Sequence, residues 1–252
     1  MGISSILAIL FTLFFSIAFP IGLMLYFRKM GGKWITFLIG AATFFLFALI
    51  LESILHNLLF LTPLWAILQE NIWLYGLYGG LAAGVFEETG RLFAFKLLLK
   101  DNREPITALS YGIGHGGAEA ILLVGLTMAG NLILAAAVSA GGITDPAVLE
   151  LAEQLASTPA GTFLWAAFER FGAIILQLSL SVLVFAAVRE HGKKWMFPTA
   201  ILIHAAIDFI AVVSNTYLPA AATEVIVLVS AAIVALFARM VYRALPATAQ
   251  KD

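Results

Sequence analysis

The 252-residue sequence contains no cysteine, which excludes disulfides, thiolate nucleophiles and Cys-ligated metals. Charge is scarce too. Only 12% of the residues are Asp, Glu, Lys or Arg, against about 25% in an average soluble domain. The formal net charge is −1, and no basic tract points to a nucleic acid partner. Internal repeats, low-complexity runs and an attached soluble domain are also missing. What the chain has instead is apolar surface. Apolar residues make up 62% of it, and its mean hydropathy is +1.01. A soluble domain carries about 45–50% apolar residues, so the excess is too large for a soluble core. The composition therefore predicts an all-α, polytopic membrane helix bundle, with residues 1–252 as one integral membrane domain.

A membrane-crossing helix needs about 20 mostly apolar residues. Seven stretches meet that length: 3–27, 34–55, 72–95, 106–138, 162–188, 195–213 and 218–241. The first has no basic residue before it and is longer than the apolar core of a cleavable signal, so it reads as a retained span. The fourth is longer than one crossing needs. Its glycines Gly112, Gly114, Gly116 and Gly117 mark where it would tilt or break.

Basic residues assign an orientation. Arg28, Lys29 and Lys33 follow the first span. Lys96, Lys100 and Arg103 follow the third, and Arg189, Lys193 and Lys194 the fifth. Arg239, Arg243 and Lys251 fall at the C-terminal end. The other two of the 14 basic residues, Arg91 and Arg170, lie inside spans three and five. The opposite connections, around 56–71, 140–161 and 214–217, carry no Lys or Arg. About seven spans, with the N-terminus outside and the C-terminus cytoplasmic, sort the charges cleanly. The 141–160 connection carries Asp145, Glu150 and Glu153, and it reads as a connector able to form a short amphipathic helix on the outer surface.

Charged groups at bilayer depth cost roughly 2.5–3.5 kcal/mol each on insertion scales, so a chain keeps them where they pair or do chemistry. Here they recur at helical spacing. Span three ends in Phe86-Glu87-Glu88-Thr89-Gly90-Arg91, with Glu87 and Glu88 four and three residues before Arg91. One arginine neutralises only one of two adjacent carboxylates well, and the other is then free for acid–base work. Span four holds Gly114-His115-Gly116-Gly117-Ala118-Glu119, where His115 and Glu119 are again four apart. Span six holds His204 and Asp208 at the same spacing, and Glu52 and His56 form another such pair near the outer end of span two. Glu169 and Arg170 open span five, with Gln177 further in, and read most simply as a local ion pair. Taken one by one, the Glu87–Glu88–Arg91 set is equally explained as an interfacial ion pair, and the His115–Glu119 and Glu169–Arg170 pairs are better explained as structural contacts. Jointly, Glu87, Glu88, His115, His204 and Asp208 lie on three spans. At about 1.5 Å per residue, Glu87, His115 and His204 reach a common depth in the cytoplasmic half of the bilayer. A base, a second group to orient water and a donor for an oxyanion are what hydrolysis requires.

The order Glu-Glu-Thr-Gly-Arg, then a His on the next span, then His-x-x-x-Asp, resembles the type II CAAX prenyl endopeptidases and their Abi/CAAX and PrsW-like relatives. The Gly-His-Gly-Gly-x-Glu form at 114–119 and the seven spans are most similar to the bacterial YhfC family of intramembrane proteases. The resemblance implies roles. Glu87 would be the general base, Glu88 the second acid and Arg91 its support. His115 would help bind or activate the water, and His204 with Asp208 would stabilise the oxyanion. Two departures stand out. The first motif is one residue shorter than in the prenyl proteases, which turns Arg91 differently. Asp208 stands where they have Asn, and an ionised Asp cannot donate to an oxyanion. It would instead orient His204 or hold the proton of a coupled pair.

His115 and His204 with Glu87 or Glu88 make a sufficient zinc ligand set with an open position. A carboxylate base with a neutral histidine works without metal. The residues lean to the metal-free, glutamic-type site, with zinc as the cofactor if there is one. The expected activity is intramembrane cleavage of a membrane protein or lipidated peptide within the lipid bilayer. A proton-coupled transporter or permease is the alternative, since intramembrane Glu, His and Asp also build proton relays, although no repeat symmetry supports it. A helix-packing scaffold is the third reading.

Overall fold

A computed structural model describes residues 1–246. Lys251, counted above with the C-terminal basic group, lies outside the described residues. Among these the chain is helical throughout: α1 (Ile3–Lys29), α2 (Trp34–Phe60), α3 (Pro63–Glu70), α4 (Ile72–Phe93, continued by a wide turn at Ala94–Leu98), α5 (Ile106–Ser139), α6 (Pro146–Ser157), α7 (Ala160–Arg189), α8 (Met196–Tyr217) and α9 (Ala220–Arg243). Asn71 caps α4, its side chain accepting from the backbone N–H groups of Trp73 and Leu74. Asp145 caps α6 in the same way, with Pro146 in the first turn where its missing N–H costs nothing. The expected short helix in the 141–160 connection is α6.

Among the described residues, six helices are long and apolar enough to cross a membrane: α1, α2, α5, α7, α8 and α9. The remaining expected span, α4, is a continuous helix, but its glycines and Glu87, Glu88 and Arg91 lower its hydropathy. The bundle is polar at its centre and apolar outside, the arrangement a bilayer demands. Glu88 and Arg91 are 0% exposed and His115 1%, whereas Phe14 is 69% and Leu202 64% exposed. The central helix is α7, with 72% of its apolar window buried against 11–28% for the other five.

Small residues bring the helices together, as they do where lipid removes the hydrophobic drive for association. A Cβ at Gly80 or Gly84 of α4 would collide with the Ala205 or Ile201 carbonyl of α8. One at Gly114 of α5 would strike the backbone of Phe37 in α2, and one at Gly112 the Leu178 backbone of α7. The glycines of span four therefore do not break it. They admit α2, α7 and, at Gly117, Pro20 of α1, and the helix runs through them unbroken. Its irregularity is a π turn at Ala120–Gly125, just past Glu119. A second π turn, Phe45–Glu52, lies in α2 and ends on Glu52. Such turns occur preferentially at functional sites.

Candidate active site

The close approach of α4 to α8, and of α5 to α7, turns their polar faces onto one another. Glu87 Oε2 lies 2.8 Å from His115 Nε2 on α5 and 3.9 Å from His204 Nε2 on α8. It also accepts from Gln177 Nε2 on α7 at 3.0 Å. Glu88 points the other way. Its Oε1 is 2.8 Å from His204 Nδ1, and its Oε2 is 3.4 Å from Arg91 Nε, in contact without a hydrogen bond. With Nδ1 facing Glu88, the His204 ring turns its Nε2 toward Glu87 and Asp208. Arg91 sits 3.9 Å from Glu87 and spends its guanidinium donors on Gln177, reaching both the backbone carbonyl at 3.2 Å and the side-chain oxygen. The single arginine thus leans to Glu88, and Glu87 is left to the imidazoles.

Glu119 and His115 share a helix face, yet each takes its partner from another helix. Glu119 Oε1 accepts from Arg170 Nη1 at 2.7 Å and its Oε2 from Gln177 Nε2 at 2.8 Å. Arg170 keeps its local pair with Glu169 and bridges it to Glu119. Asp208 stands 3.5 Å from His204 Nε2. All seven candidates from the sequence, Glu87, Glu88, Arg91, His115, Glu119, His204 and Asp208, therefore join one contact network. Arg170 and Gln177 belong to it as well; the sequence read Arg170 as a local ion pair with Glu169 and gave Gln177 no role in the site. Their seven-residue separation, two turns on one face of α7, was the available signal. Glu52 and His56 form a separate group. His56 Nε2 is 3.2 Å from Glu52, and its Nδ1 meets the Tyr78 hydroxyl.

Glu87, Glu119, His204 and Asp208 line a cavity of about 400 Å³ bounded by α7, α8 and α9. A site that admits one water-sized probe can hold a water, and this cavity is far larger than that, so it has room for a reaction that consumes one.

Ligand atoms of Glu87, His115 and Glu119 lie within 4.8 Å of one another, close enough to share a metal ion. One further observation fits that use: His115 Nδ1 is buried with no hydrogen-bond partner among the described residues.

Carboxylates and imidazoles from three helices, gathered beside a cavity inside an apolar bundle, define a multi-pass membrane protein with a buried polar site. Residues 15–231 match the family described as YhfC intramembrane metalloprotease, and the chain belongs to that family. It is 37% identical over 227 residues to the Bacillus subtilis (strain 168) protein named "Uncharacterized membrane protein YhfC", a match that covers 85% of this chain and 87% of the relative. No solved structure matches the chain. The family description supports protease activity within the membrane and weighs against the metal-free leaning of the sequence.

Proposed function

We propose that this protein is an intramembrane endopeptidase that cleaves membrane-embedded or membrane-anchored peptides at the Glu87–His115–His204 cluster. The observation that carries the reading is one carboxylate oxygen facing two imidazoles, at 2.8 and 3.9 Å, beside a cavity inside the bundle. The seven spans, the outside N-terminus, the single membrane domain and the kinship to the prenyl endopeptidases belong to the same reading and rest on charge sorting and motif order.

Glu87 accepts a proton from a water in the cavity as the water oxygen bonds to the scissile carbonyl carbon. His115 orients Glu87 through their 2.8 Å contact. The carbonyl oxygen becomes an oxyanion, to which His204, acting as an imidazolium held between Glu88 and Asp208, donates from Nε2. Asp208 steadies His204, and the Glu88–Arg91 pair fixes its ring. As the tetrahedral species collapses, the C–N bond breaks and the leaving nitrogen takes the proton from Glu87. The products are a carboxylic acid and an amine. Glu119, held by Arg170 and Gln177, completes the donor set with Glu87 and His115. A divalent ion such as zinc, held there, would supply Lewis acidity.

The test is cleavage of a library of membrane-anchored peptides by purified protein in liposomes, with and without a chelator. Cleavage that stops on chelation and returns with added zinc supports the metal-assisted reading. Cleavage indifferent to chelator supports the carboxylate–histidine site alone. A folded, metal-loaded protein that leaves every peptide intact contradicts the assignment.

A further inference from the structure

The cavity does not stop at the hydrolytic cluster. Beyond Asp208 its wall continues through Glu169 and Arg170 of α7, Asn215 of α8, and Thr223 and Glu224 of α9. These last three stand beside the turn joining α8 to α9, the non-cytoplasmic end in the orientation proposed above. None of the five has a place in the chemistry just described except Arg170, which holds Glu119.

Charge along this path is one-sided. Glu87, Glu119, Glu169, Asp208 and Glu224 all line the cavity, and Arg170 is the one Lys or Arg there. Arg170 is already committed to Glu119 and Glu169. Glu224 has no hydrogen-bond or ion-pair partner among the described residues. Beside it, Thr223 is 3% exposed, and its hydroxyl has no hydrogen-bond partner among the described residues. Buried polar atoms without a partner are rare in folded proteins, and each calls for a ligand or ordered water. A half-buried carboxylate, an orphaned hydroxyl and the Asn215 amide on one cavity wall together make a receptor for a cation that also donates hydrogen bonds.

We propose that Glu224, with Thr223 and Asn215, forms a recognition subsite for a primary ammonium group of the substrate peptide, a lysine side chain or a free N-terminus. This proposal rests on the endopeptidase reading for its substrate, but not for its binding. Counting back from the short turn between Tyr217 and Ala220 sets Glu224 opposite about Val213 of α8, nine residues from His204, or roughly 13 Å at 1.5 Å per residue. An extended peptide covers about 3.3 Å per residue, so the ammonium would lie about four residues from the scissile bond. The subsite is selective because positively charged residues are depleted at the outer ends of membrane segments. Most membrane segments therefore lack the group it reads.

The experiment uses reconstituted full-length protein and a set of amphipathic peptides. Each carries one lysine at a varied position behind an acetylated N-terminus, and the set includes norleucine controls and free-N-terminus counterparts. Both binding and cleavage are measured. The proposal predicts that a lysine or a free amine about four residues from the cut raises affinity about tenfold or more over its neutral control. Glu224→Gln abolishes that preference, and Glu224→Lys transfers it to peptides with glutamate at the same position. The lysine arm against the free-amine arm tells which source supplies the ammonium. Equal binding of lysine and norleucine peptides overturns the proposal even if both are cleaved. A Glu224-dependent preference without any cleavage upholds the subsite and overturns the peptidase reading instead. Thr223→Val, a near-isosteric change that removes only the hydroxyl, weakens the preference without unfolding the protein. An unchanged preference in that variant overturns the part assigned to Thr223.

Discussion

At the residue scale, the two adjacent glutamates of α4 have opposite neighbours, and this difference determines what each can do. Glu88 has a histidine on one oxygen and a guanidinium beside the other, with no exposed surface. Arg91→Ala would leave that carboxylate buried and uncompensated, at a cost of roughly 3–5 kcal/mol. A clear fall in the thermal midpoint in detergent is the expected result, and an unchanged midpoint would show that the pairing contributes little. Glu87 lies nearer the cavity and faces two imidazoles. Gln177 donates to both Glu87 and Glu119, so Gln177→Leu should lower kcat about 10–100-fold, as loss of an outer-shell partner does, with KM little changed. His204→Ala should likewise lower kcat with substrate binding retained, and a pure binding defect would move His204 to substrate recognition. These residues were legible because ionisable groups stand out in an apolar sequence. Their pairing was only half legible. Spacing of four predicted His115 with Glu119, but it identifies a shared face and not a partner. The partners come from α4 and α7, whose rotation about their own axes no single-helix pattern reports. Glu224 escaped notice for the same reason. It is a lone acid near the start of the last span, and only the fold brings it to the cavity of Glu87.

At the scale of the elements, glycine sets the distances that make the site. Gly114 meets the Phe37 backbone, and Gly84 meets the Ile201 carbonyl. Gly114→Val should push α2 and α5 apart and destabilise the protein by about 1–3 kcal/mol, as overpacking does elsewhere. Gly79→Val is the control, since a Cβ there meets nothing within 4 Å. Equal thermal midpoints for the two variants would show that close approach at Gly114 is not what holds these helices. The glycine run of span four looked in sequence like a break. A glycine-rich helix is weak in isolation, but packing against α1, α2 and α7 compensates here, and the local propensity is overridden by tertiary contact. The π turns at Phe45–Glu52 and Ala120–Gly125 left no legible mark in the sequence, because a wide turn is selected by the neighbours of a helix as much as by its residues.

At the scale of the whole molecule, composition alone was enough to read a helical membrane bundle, since 62% apolar residues leave no soluble alternative. Orientation rests on the basic residues. The absence of cysteine makes it directly measurable with single-cysteine variants. Gly142→Cys should react with a membrane-impermeant thiol reagent on intact cells, and Lys193→Cys only after permeabilisation. The reverse pattern would invert the topology and put the Glu224 end of the cavity in the cytoplasm. The carboxylate at position 87 is proposed to activate water inside this bundle. Wild type and Glu87→Gln are incubated side by side in liposomes with membrane-anchored peptides. Cleavage products are read by mass spectrometry, with bound metal quantified in the same samples. The wild type should give discrete cleavage and the variant a loss of at least about a hundredfold, with folding unchanged. A Glu87→Gln protein that cleaves as fast as the wild type would contradict that role for Glu87.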